Sequence, residues 1–372
     1  MKYYLIAGER SGDLHGSNLI KELKILDANA QFRGFGGGYM QAVGLDLVVD
    51  YRDMAFMGLI ALFANLRTLL ARLKQCKNDI LDYRPDVVIL IDYGAFNKRI
   101  SKFCKANGVR NYYYISPKVW AWYQSRAKEL KANVDRMFCI LPFEKDFFEK
   151  FDWKVDYVGN PVLDAVKAFR PDPGFLANNK LSENKRLVAL LPGSRKSELL
   201  KIIPLMAKVV EANPDYQFVV AAVKSMPATL YGPVAKYGNA HVVFDATYDL
   251  LSLSHAAIVT SGTATLETAL FKVPQVVVYK ANPLEFFLAR LMIKVGFVSL
   301  VNLIVGKEAI RELIQREATV PNTNMELARL VEDNYYRNRI MKDYDGLLKI
   351  LDTGSASKNT ARLMVDYLQR EG

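Results

Sequence analysis

The chain has 372 residues, of which 51% are hydrophobic, enough to build two cores of ordinary domain size. Its 50 Lys and Arg side chains exceed its 39 Asp and Glu side chains by 11, which favours an anionic partner such as a phosphorylated metabolite or an anionic lipid surface. The basic residues are spread along the chain without interleaved aromatic residues, so nucleic-acid binding is not expected. Three distant cysteines and three histidines indicate neither a disulfide scaffold nor a zinc site.

No part of the sequence is predicted to cross a membrane. The apolar run near the amino end extends only from Tyr3 to Ala7, which is too short for a signal peptide. The longest apolar segment, residues 283–300, is interrupted by Arg290 and Lys294. The cysteine content favours a reducing cytosol.

Short apolar runs alternate with helix-like stretches in the first half of the chain. The predicted strands are YYLIA (3–7), QFRGF (31–35), DVVILID (86–92), NYYYIS (111–116), RMFCIL (136–141) and VDYVGN (155–160). Helices are predicted to begin at Gly12 and Asn97. This alternation predicts a doubly wound parallel sheet.

The same cycle restarts after a linker rich in Pro, Asn and Lys, which we place near residues 162–184. The second set of predicted strands is LVALLPG (187–193), FVVAAV (218–223), HVVF (241–244), AAIVTSG (256–262) and QVVVYK (275–280). From about Met325 the pattern is helical to the end. The sequence therefore predicts two Rossmann-like domains facing a central cleft, with ligands at the carboxyl ends of the strands.

The clearest motif is LLPGSRKSEL, residues 190–199, in which a strand passes through a Pro-Gly turn into a helix. Gly193 lets the backbone approach a ligand, helix-start N–H groups suit phosphate oxygens, and Arg195 adds a permanent charge. A capping box between Ser194 and Glu198 is the alternative, but it leaves Arg195 unexplained. The motif favours a pyrophosphate site.

A second strand end, TSGTATLETAL at 260–270, has the same character. Ser261, Gly262 and Thr263 would present hydroxyl and N–H groups to a phosphate, and Glu267 could accept hydrogen bonds from a ribose. Ordinary helix capping remains the alternative. Two such turns in one half suggest a nucleoside diphosphate.

Polar residues also follow the first predicted strand, in AGERSGDLHG at 7–16. Glu9, Ser11, Asp13 and His15 could form the rim of an acceptor site. The segment does not match the dinucleotide-binding glycine pattern, neither does GFGGGYM at 34–40, and no phosphate-binding P-loop sequence occurs.

The run DVVILIDYGAFNKRIS, residues 86–101, ends a predicted strand in Asp92. A carboxylate at that sheet edge can take the proton of an attacking hydroxyl group, so Asp92 is the candidate general base. Capping of the next helix is the alternative role. Glu9 and His15 are the next candidates for the base.

Two further patterns bear on partners. Residues 54–75 place leucines at helical spacing with basic residues mostly opposite, which predicts either a core-facing helix or a helix in an anionic bilayer interface. The only Asp-x-Asp triplet, residues 343–345, lies far from any strand end, so we interpret it as a solvated helix face. Neither a metal ion nor a cofactor is expected.

Several motifs together resemble the lipid-A-disaccharide synthases of glycosyltransferase family 19, in order and over nearly the whole chain. They are AGERSGDLHG, YYISPKVWAWYQSRAKEL, ILPFEKDFF, YVGNPVLDA, LLPGSRKSEL, SGTATLETAL and VSLVNLIVGKEAIREL. The resemblance implies a GT-B fold and a metal-independent, inverting transfer of 2,3-diacylglucosamine from its UDP donor to the 6-hydroxyl of 2,3-diacylglucosamine 1-phosphate. It also implies a peripheral protein at the cytoplasmic face of the inner membrane of a Gram-negative bacterium.

The resemblance assigns residues to each side of the reaction. The residues implied to hold UDP are Gly193, Ser194, Arg195, Glu198, Ser261, Gly262, Thr263, Glu267 and Asn302, with Arg195 also stabilising the leaving group. The residues implied on the acceptor side are Glu9, Ser11, Asp13, His15 and Met57. The expected domains are 1–165 for the acceptor and membrane, 166–335 for the donor, and 336–372 as helices returning to the first domain of the same chain or of a homodimer partner.

The sequence departs from the family pattern at four positions, which leave the donor side mostly intact and bear mainly on the acceptor side. Gly94 and Ala95 replace a Pro and a second Asp, Ala61 replaces a Glu, and Val301 replaces a Pro. The proton-transfer role therefore falls on Asp92 alone. Alternatives are another GT-B enzyme of UDP-N-acetylglucosamine, either the lipid-II transferase or the 2-epimerase, and a non-catalytic nucleotide-sugar binder at the membrane.

Overall fold

The computed structural model describes residues 1–53, 66–121, 124–282 and 296–371. The chain forms two compact units, one comprising Met1–Pro161 and Asp352–Gly372 and the other Val162–Leu351. Each unit is built on one parallel sheet and has its own hydrophobic core.

The sheet of the first unit has seven strands among the described residues. They are β1 (Lys2–Ala7), β2 (Gln31–Gly36), β3 (Leu45–Asp50), β4 (Val87–Ile91), β5 (Asn111–Tyr114), β6 (Arg136–Cys139) and β7 (Asp156–Tyr157). Their spatial order is β3-β2-β1-β4-β5-β6-β7, and every pairing is parallel. The chain therefore reverses its direction of travel across the sheet between β1 and β4, which leaves a crevice at the carboxyl ends of those two strands.

The helices of the first half cover both faces of this sheet. They are α1 (Arg10–Leu26), α2 (Gly38–Ala42), α3 (Leu66–Tyr83), α4 (Gly94–Ala106), α5 (Arg126–Asn133) and α6 (Pro142–Glu149), with a short 3-10 turn at Tyr51–Asp53. Residues 3–7 of β1 are all buried, as expected for a strand with helices on both sides. On α1, the buried Leu19, Ile20 and Leu23 form the apolar stripe that packs on the sheet.

The second unit repeats this plan with six described strands. They are β8 (Leu187–Leu191), β9 (Gln217–Ala222), β10 (Ala240–Phe244), β11 (Ala256–Thr260), β12 (Gln275–Tyr279) and β13 (Glu312–Ile314), in the order β10-β9-β8-β11-β12-β13. The described helices are α7 (Pro161–Ala168), α8 (Phe175–Asn178), α9 (Lys196–Ala212), α10 (Gly232–Ala235), α11 (Thr247–Leu253), α12 (Thr263–Leu270), α13 (Leu300–Val305), α14 (Val320–Glu332) and α15 (Asn334–Leu351), with a 3-10 turn at Ala228–Tyr231. The reversal of strand order here falls between β8 and β11.

The last two helices of the chain belong to different units. Tyr344 and Leu347 of α15 are buried in the core of the second unit. Met364 and Leu368 of α16 (Ala356–Glu371) are buried in the core of the first unit, where α16 packs along α1. The predicted third domain, 336–372, is therefore divided at residue 352, because only α16 carries the apolar stripe that completes the first core.

The doubly wound prediction is confirmed, and all eleven predicted strands are present. Sequence reasoning missed β3 and β13. β3 (LDLVVD) lies at a sheet edge with only Leu45 and Val49 buried, and β13 has three residues, so neither gives a clear apolar run. The predicted linker contributes to the second unit, since Leu163 and Phe175 are buried in its cores.

The contact between α16 and α1 predicts a stability effect that can be measured in the first unit alone. All three tryptophans, Trp120, Trp122 and Trp153, lie in its sequence range, so tryptophan fluorescence reports its unfolding. Met364→Ala leaves a cavity at a fully buried position and should lower the free energy of urea unfolding by about 2–5 kcal/mol. Arg362→Ala, which removes only an exposed 3.9 Å ion pair to Asp366, should change it by less than about 1 kcal/mol; equal effects of the two changes would contradict the packing described.

Candidate active site

Asp92 lies immediately after β4, where the order of the strands in the first sheet reverses. Its N–H donates to the carbonyl of Tyr114 at 3.1 Å, so it continues the pairing of β4 with β5 before the chain turns. Asp92 and Tyr93 then both adopt left-handed backbone conformations, with φ of 45° and 49°. Two successive non-glycine residues in this region are strained, and such strain persists only where the surroundings enforce it.

Three neighbouring groups hold this strained turn. The carbonyl of Asp92 accepts hydrogen bonds from the Tyr113 hydroxyl at 2.6 Å and from Nδ2 of Asn97 at 2.8 Å. The ring of Tyr93 lies against Gly8 at the end of β1, so closely that a Cβ there would come within 2.3 Å of it. The turn is therefore fixed from β1, β5 and α4 together.

The surroundings of Asp92 raise the pKa of its carboxyl group above that of an exposed aspartate. Burial raises the pKa of Asp92 to about 6, and the negative charge of Glu9 adds to this shift. Lys118 and the N–H of Tyr93 oppose it. Asp92 is thus ionised near neutral pH but holds its proton more tightly than an exposed aspartate.

The other predicted acceptor-side residues lie on α1 or directly before it. Glu9 and Ser11 are exposed at the start of the helix. Asp13 is buried, and its carboxylate accepts from the N–H groups of Gly37, Tyr39 and Met40, so it caps α2 rather than facing solvent.

His15 offers a different chemistry. Burial lowers its pKa to about 4, so its imidazole is neutral near pH 7. Nδ1 is buried and has no hydrogen-bond partner among the described residues. Met57, the last predicted acceptor-side residue, lies outside the described residues.

A buried carboxylate organises the turn after β5, which neighbours β4. Glu144 is 1% exposed and accepts hydrogen bonds from the Ser116 hydroxyl, from Nε1 of Trp120 at 3.1 Å and from the N–H of Leu141 at 2.9 Å. Burial raises its pKa to about 7, although these donors oppose the shift. The network fixes the turn that carries Lys118.

In the second unit, the turn between β8 and α9 holds the first group of predicted phosphate ligands. Gly193 has φ of 99°, and a Cβ there would lie 2.4 Å from Oε2 of Glu198, so only glycine fits. Glu198 accepts from the N–H of Arg195 at 3.3 Å and from its Nη1 at 3.2 Å. Ser194 is exposed and Arg195 is 63% exposed, so this weak surface ion pair leaves the guanidinium accessible to an anion.

The second group lies after β11, the strand that pairs with β8. Gly262 and Thr263 are exposed at the start of α12, and the hydroxyl of Ser261 donates to the carbonyl of Val298 at 2.9 Å. Because β8 and β11 are neighbours, with Leu191 paired to Val259, the two turns meet at one edge of the sheet. Two helix starts and one arginine therefore lie together, which suits a diphosphate.

Glu267 lies one turn into α12 and is held by a tyrosine that sequence reasoning did not single out. The hydroxyl of Tyr248 donates to Oε1 of Glu267 at 3.0 Å. Burial raises the pKa of Glu267, and this hydrogen bond opposes the shift. The tyrosine thereby fixes the orientation of the carboxylate at the sheet edge.

Asn302 is fully buried, so its side chain is not exposed for direct contact with a ligand. Its buried side chain donates to Ile310 and Glu312 and accepts from the N–H groups of Ala309 and Ile310. These bonds satisfy the whole amide group. Glu312 also accepts from the N–H groups of Val298 and Ser299, and the carbonyl of Val298 accepts from the Ser261 hydroxyl, so the side chain of Asn302 is linked to the Ser261 turn through Glu312.

The Asp-x-Asp triplet lies on α15 and is engaged in ion pairs. Asp343 pairs with Lys307 at 2.6 Å and Asp345 with Lys272. In the part of the chain that the structure describes, no group of three or more His, Cys, Asp or Glu side chains is placed to hold a metal ion.

The structure describes the predicted amphipathic segment only from residue 66 onward. Some of its leucines are buried and others are exposed. Leu69 and Leu73 of α3 are buried, whereas Leu70 is 53% exposed. Arg67 and Lys74 are also exposed. No described helix is long and apolar enough to cross a membrane.

Sequence reasoning missed several residues that hold the predicted site residues in place or change their pKa. Asn97 and Tyr113 hold the Asp92 turn, Tyr248 holds Glu267, and the charge of Lys118 lowers the pKa of Asp92. Only Lys118 carries a signal in the sequence, since it follows a predicted strand in ISPK at 115–118. The others depend on tertiary contacts.

Solved structures of low identity share this architecture. The UDP-N-acetylglucosamine 2-epimerase from Neisseria meningitidis, solved with UDP-GlcNAc, is 14% identical with a TM-score of 0.68 over 100% of both chains. MnaA from S. aureus, solved with UDP, is 12% identical with a TM-score of 0.71 over 99% of this chain and 97% of that one. The two doubly wound units therefore define a GT-B fold, the class that contains nucleotide-sugar glycosyltransferases and epimerases.

Sequence relatives of higher identity narrow this class. A family model described as lipid-A-disaccharide synthetase matches residues 3–364. Lipid-A-disaccharide synthases from Geobacter metallireducens and Syntrophus aciditrophicus are each 35% identical over 373 residues, covering 99% and 98% of this chain and 97% of each relative. That of Coxiella burnetii strain RSA 331 is 33% identical over 97% of this chain and 96% of its own length. The chain belongs to the lipid-A-disaccharide synthase family, and it is a glycosyltransferase of lipid A biosynthesis.

The raised pKa of Asp92 predicts that its charge destabilises the fold. Because the folded pKa of about 6 exceeds the ordinary value of 3.8, ionisation costs stability above pH 6, and the cost fades as the pH falls toward 4. Asp92→Asn should raise the free energy of urea unfolding, followed by tryptophan fluorescence, by about 1–3 kcal/mol at pH 8, and the gain should shrink by pH 5. Asp146→Asn, at an exposed position of α6, is the matched control and should have little effect; no gain at pH 8 for Asp92→Asn would contradict the electrostatics described.

Proposed function

We propose that the chain transfers 2,3-diacylglucosamine from UDP-2,3-diacylglucosamine to the 6-hydroxyl of 2,3-diacylglucosamine 1-phosphate. The products would be a β-1,6-linked disaccharide 1-phosphate and UDP. Family membership supports these substrates, and one observation carries the assignment of the chemistry to this chain. Asp92, a carboxylate with a pKa near 6, occupies the strained turn where the strand order of the first sheet reverses.

Asp92 acts as the general base in this proposal. Its carboxylate takes the proton of the acceptor's 6-hydroxyl while that oxygen attacks the anomeric carbon of the donor. The bond from that carbon to the UDP oxygen breaks on the opposite face, so a single displacement inverts the centre. A pKa of about 6 suits a base that must be ionised, yet still attract a proton, near neutral pH.

The second unit stabilises the departing diphosphate. Arg195 exchanges its exposed pair with Glu198 for the phosphate oxygens, and the starts of α9 and α12 add N–H donors. Glu267, held by Tyr248, accepts hydrogen bonds from the ribose hydroxyls. These groups supply the positive potential needed as charge develops on UDP, so the proposal includes neither a metal ion nor a cofactor.

We also place the protein at the cytoplasmic face of the inner membrane, since both proposed substrates carry acyl chains. The exposed Leu70, Arg67 and Lys74 of α3 support a contact that combines apolar and basic groups. The net charge of +11 favours an anionic lipid surface.

The main test removes the base and separates chemistry from binding. Asp92→Asn should lower kcat by about 10²–10⁴-fold in an assay that measures disaccharide formation and UDP release, because no group remains to take the proton. UDP affinity, measured by calorimetry, should stay within about twofold, since the donor residues lie in the other unit. For the unaltered chain, log(kcat/KM) should fall with decreasing pH below about 6 as Asp92 becomes protonated.

Glu9→Gln is the comparison variant, because Glu9 is the next candidate for the base. It should retain most of the turnover and move the acid limb to lower pH, since it removes a charge that raises the pKa of Asp92. Near-normal turnover by Asp92→Asn together with loss in Glu9→Gln would transfer the role to Glu9. No disaccharide from the unaltered chain would favour a non-catalytic nucleotide-sugar binder.

Arg195→Ala tests the donor site independently. It should weaken UDP binding and lower kcat/KM for the donor by about 10–100-fold, because a charge-assisted contact to phosphate is lost. Arg186→Ala, which removes an exposed charge directly before β8 and therefore at the opposite edge of the sheet, is the control and should leave both quantities unchanged. Equal UDP affinity for Arg195→Ala and the unaltered chain, measured by calorimetry, would exclude Arg195 from the phosphate site.

A further inference from the structure

Lys118 is an exposed cation on the short turn after β5, beside the turn that carries Asp92. Its ammonium group has no ion-pair partner within 4 Å among the residues that the structure describes. Nothing in the mechanism above uses it. Many surface lysines are equally exposed, but this one lies on a turn whose flanking residues Ser116 and Trp120 are held by a buried carboxylate.

The turn that carries Lys118 is fixed on both sides. Ser116 and Trp120 both donate to the buried carboxylate of Glu144, which also accepts from the N–H groups of Ile140 and Leu141. A fully buried carboxylate is costly unless hydrogen bonds satisfy it, and these four donors do so for Glu144. The network therefore gives the backbone at Lys118 a defined position at the sheet edge.

This turn touches the Asp92 turn directly. Ile91 pairs with Tyr114, so Asp92 and Ile115 leave the sheet at the same level. A Cβ added to Gly94 would lie 3.1 Å from Cβ of Pro117, which shows how closely the two turns pack. The field of Lys118 reaches Asp92, where it lowers the pKa that burial and Glu9 raise.

The proposed acceptor would bring negative charge to a sheet edge that already carries two carboxylates. A phosphomonoester carries nearly two negative charges near neutral pH, and Asp92 and Glu9 would both repel it. In a hexose 1-phosphate, the phosphate on C1 and the hydroxymethyl group on C5 flank the ring oxygen. The two substituents are therefore separated by only a few ångströms, comparable to the spacing of about 4.8 Å between adjacent strands.

We propose that Lys118 binds the phosphomonoester of the acceptor and so orients the acceptor's hydroxyl group toward Asp92. This inference rests on the proposed function, since it assumes a phosphorylated sugar as acceptor. The ammonium group offsets the two carboxylates at the place where the dianion must approach. It makes Lys118 a determinant of specificity for a phosphorylated acceptor over its dephosphorylated form.

The test compares two acceptors, 2,3-diacylglucosamine 1-phosphate and 2,3-diacylglucosamine, at pH 8, where Asp92 is ionised with or without Lys118. Lys118→Met keeps the apolar stem and should lower kcat/KM for the phosphorylated acceptor by about 10–100-fold. It should change kcat/KM for the dephosphorylated acceptor by less than about threefold. Lys118→Arg should retain most of the preference, because a guanidinium also binds phosphate.

Lys145→Met is the matched control, since Lys145 is also an exposed lysine of the first unit, on α6. It should leave both acceptors unaffected. The inference would be overturned if Lys118→Met lowered kcat/KM equally for both acceptors, or for neither. It would also be overturned if the variant only shifted the acid limb of the pH profile, because Lys118 would then act only on the pKa of Asp92. Failure of the unaltered chain to transfer to either acceptor would instead overturn the proposed function itself, and this inference with it.

Discussion

The reversal of strand order in each sheet is the constraint on which the candidate site depends. Right-handed crossovers place successive strands on one side of the first strand or the other, and a change of side separates the loops that follow two adjacent strands. In the first sheet these loops begin at Gly8 and Asp92, and in the second at Pro192 and Ser261. The chemistry-bearing residues of both units therefore follow from one topological feature that the chain uses twice.

The two edges meet different electrostatic demands. The first edge brings Glu9 and Asp92 together, so a proton is held more tightly there than in water. The second edge presents helix starts and Arg195, so it favours the charge of a diphosphate. The proposed reaction, which takes a proton from one sugar and leaves negative charge on a nucleotide, would use both environments. Each unit alone supplies one of them.

The sequence reveals the parts of this arrangement that depend on local patterns. Apolar runs locate eleven strands and place Asp92 at a strand end. The Pro-Gly and Ser-Gly pairs locate the two turns predicted to bind phosphate. The sequence cannot reveal that Asp13 caps α2, that the Asn302 amide is fully hydrogen-bonded within a buried turn, or that Tyr113 holds the Asp92 turn, because these contacts form only when the chain folds and no local pattern encodes them. It also places the last domain boundary too early, since the helices α15 and α16 look alike as amphipathic patterns and differ only in which core they complete.

The return of α16 to the first unit makes that unit discontinuous along the sequence, and this affects how the protein can be synthesised. Met364 and Leu368 are synthesised after the second unit, yet they pack on α1, which is synthesised before it. The first unit must therefore keep part of its apolar surface open while the entire second unit is translated. A protein with this connectivity completes its first unit only after its second, so the apolar surface of the first unit stays exposed to chaperones and to aggregation for longer.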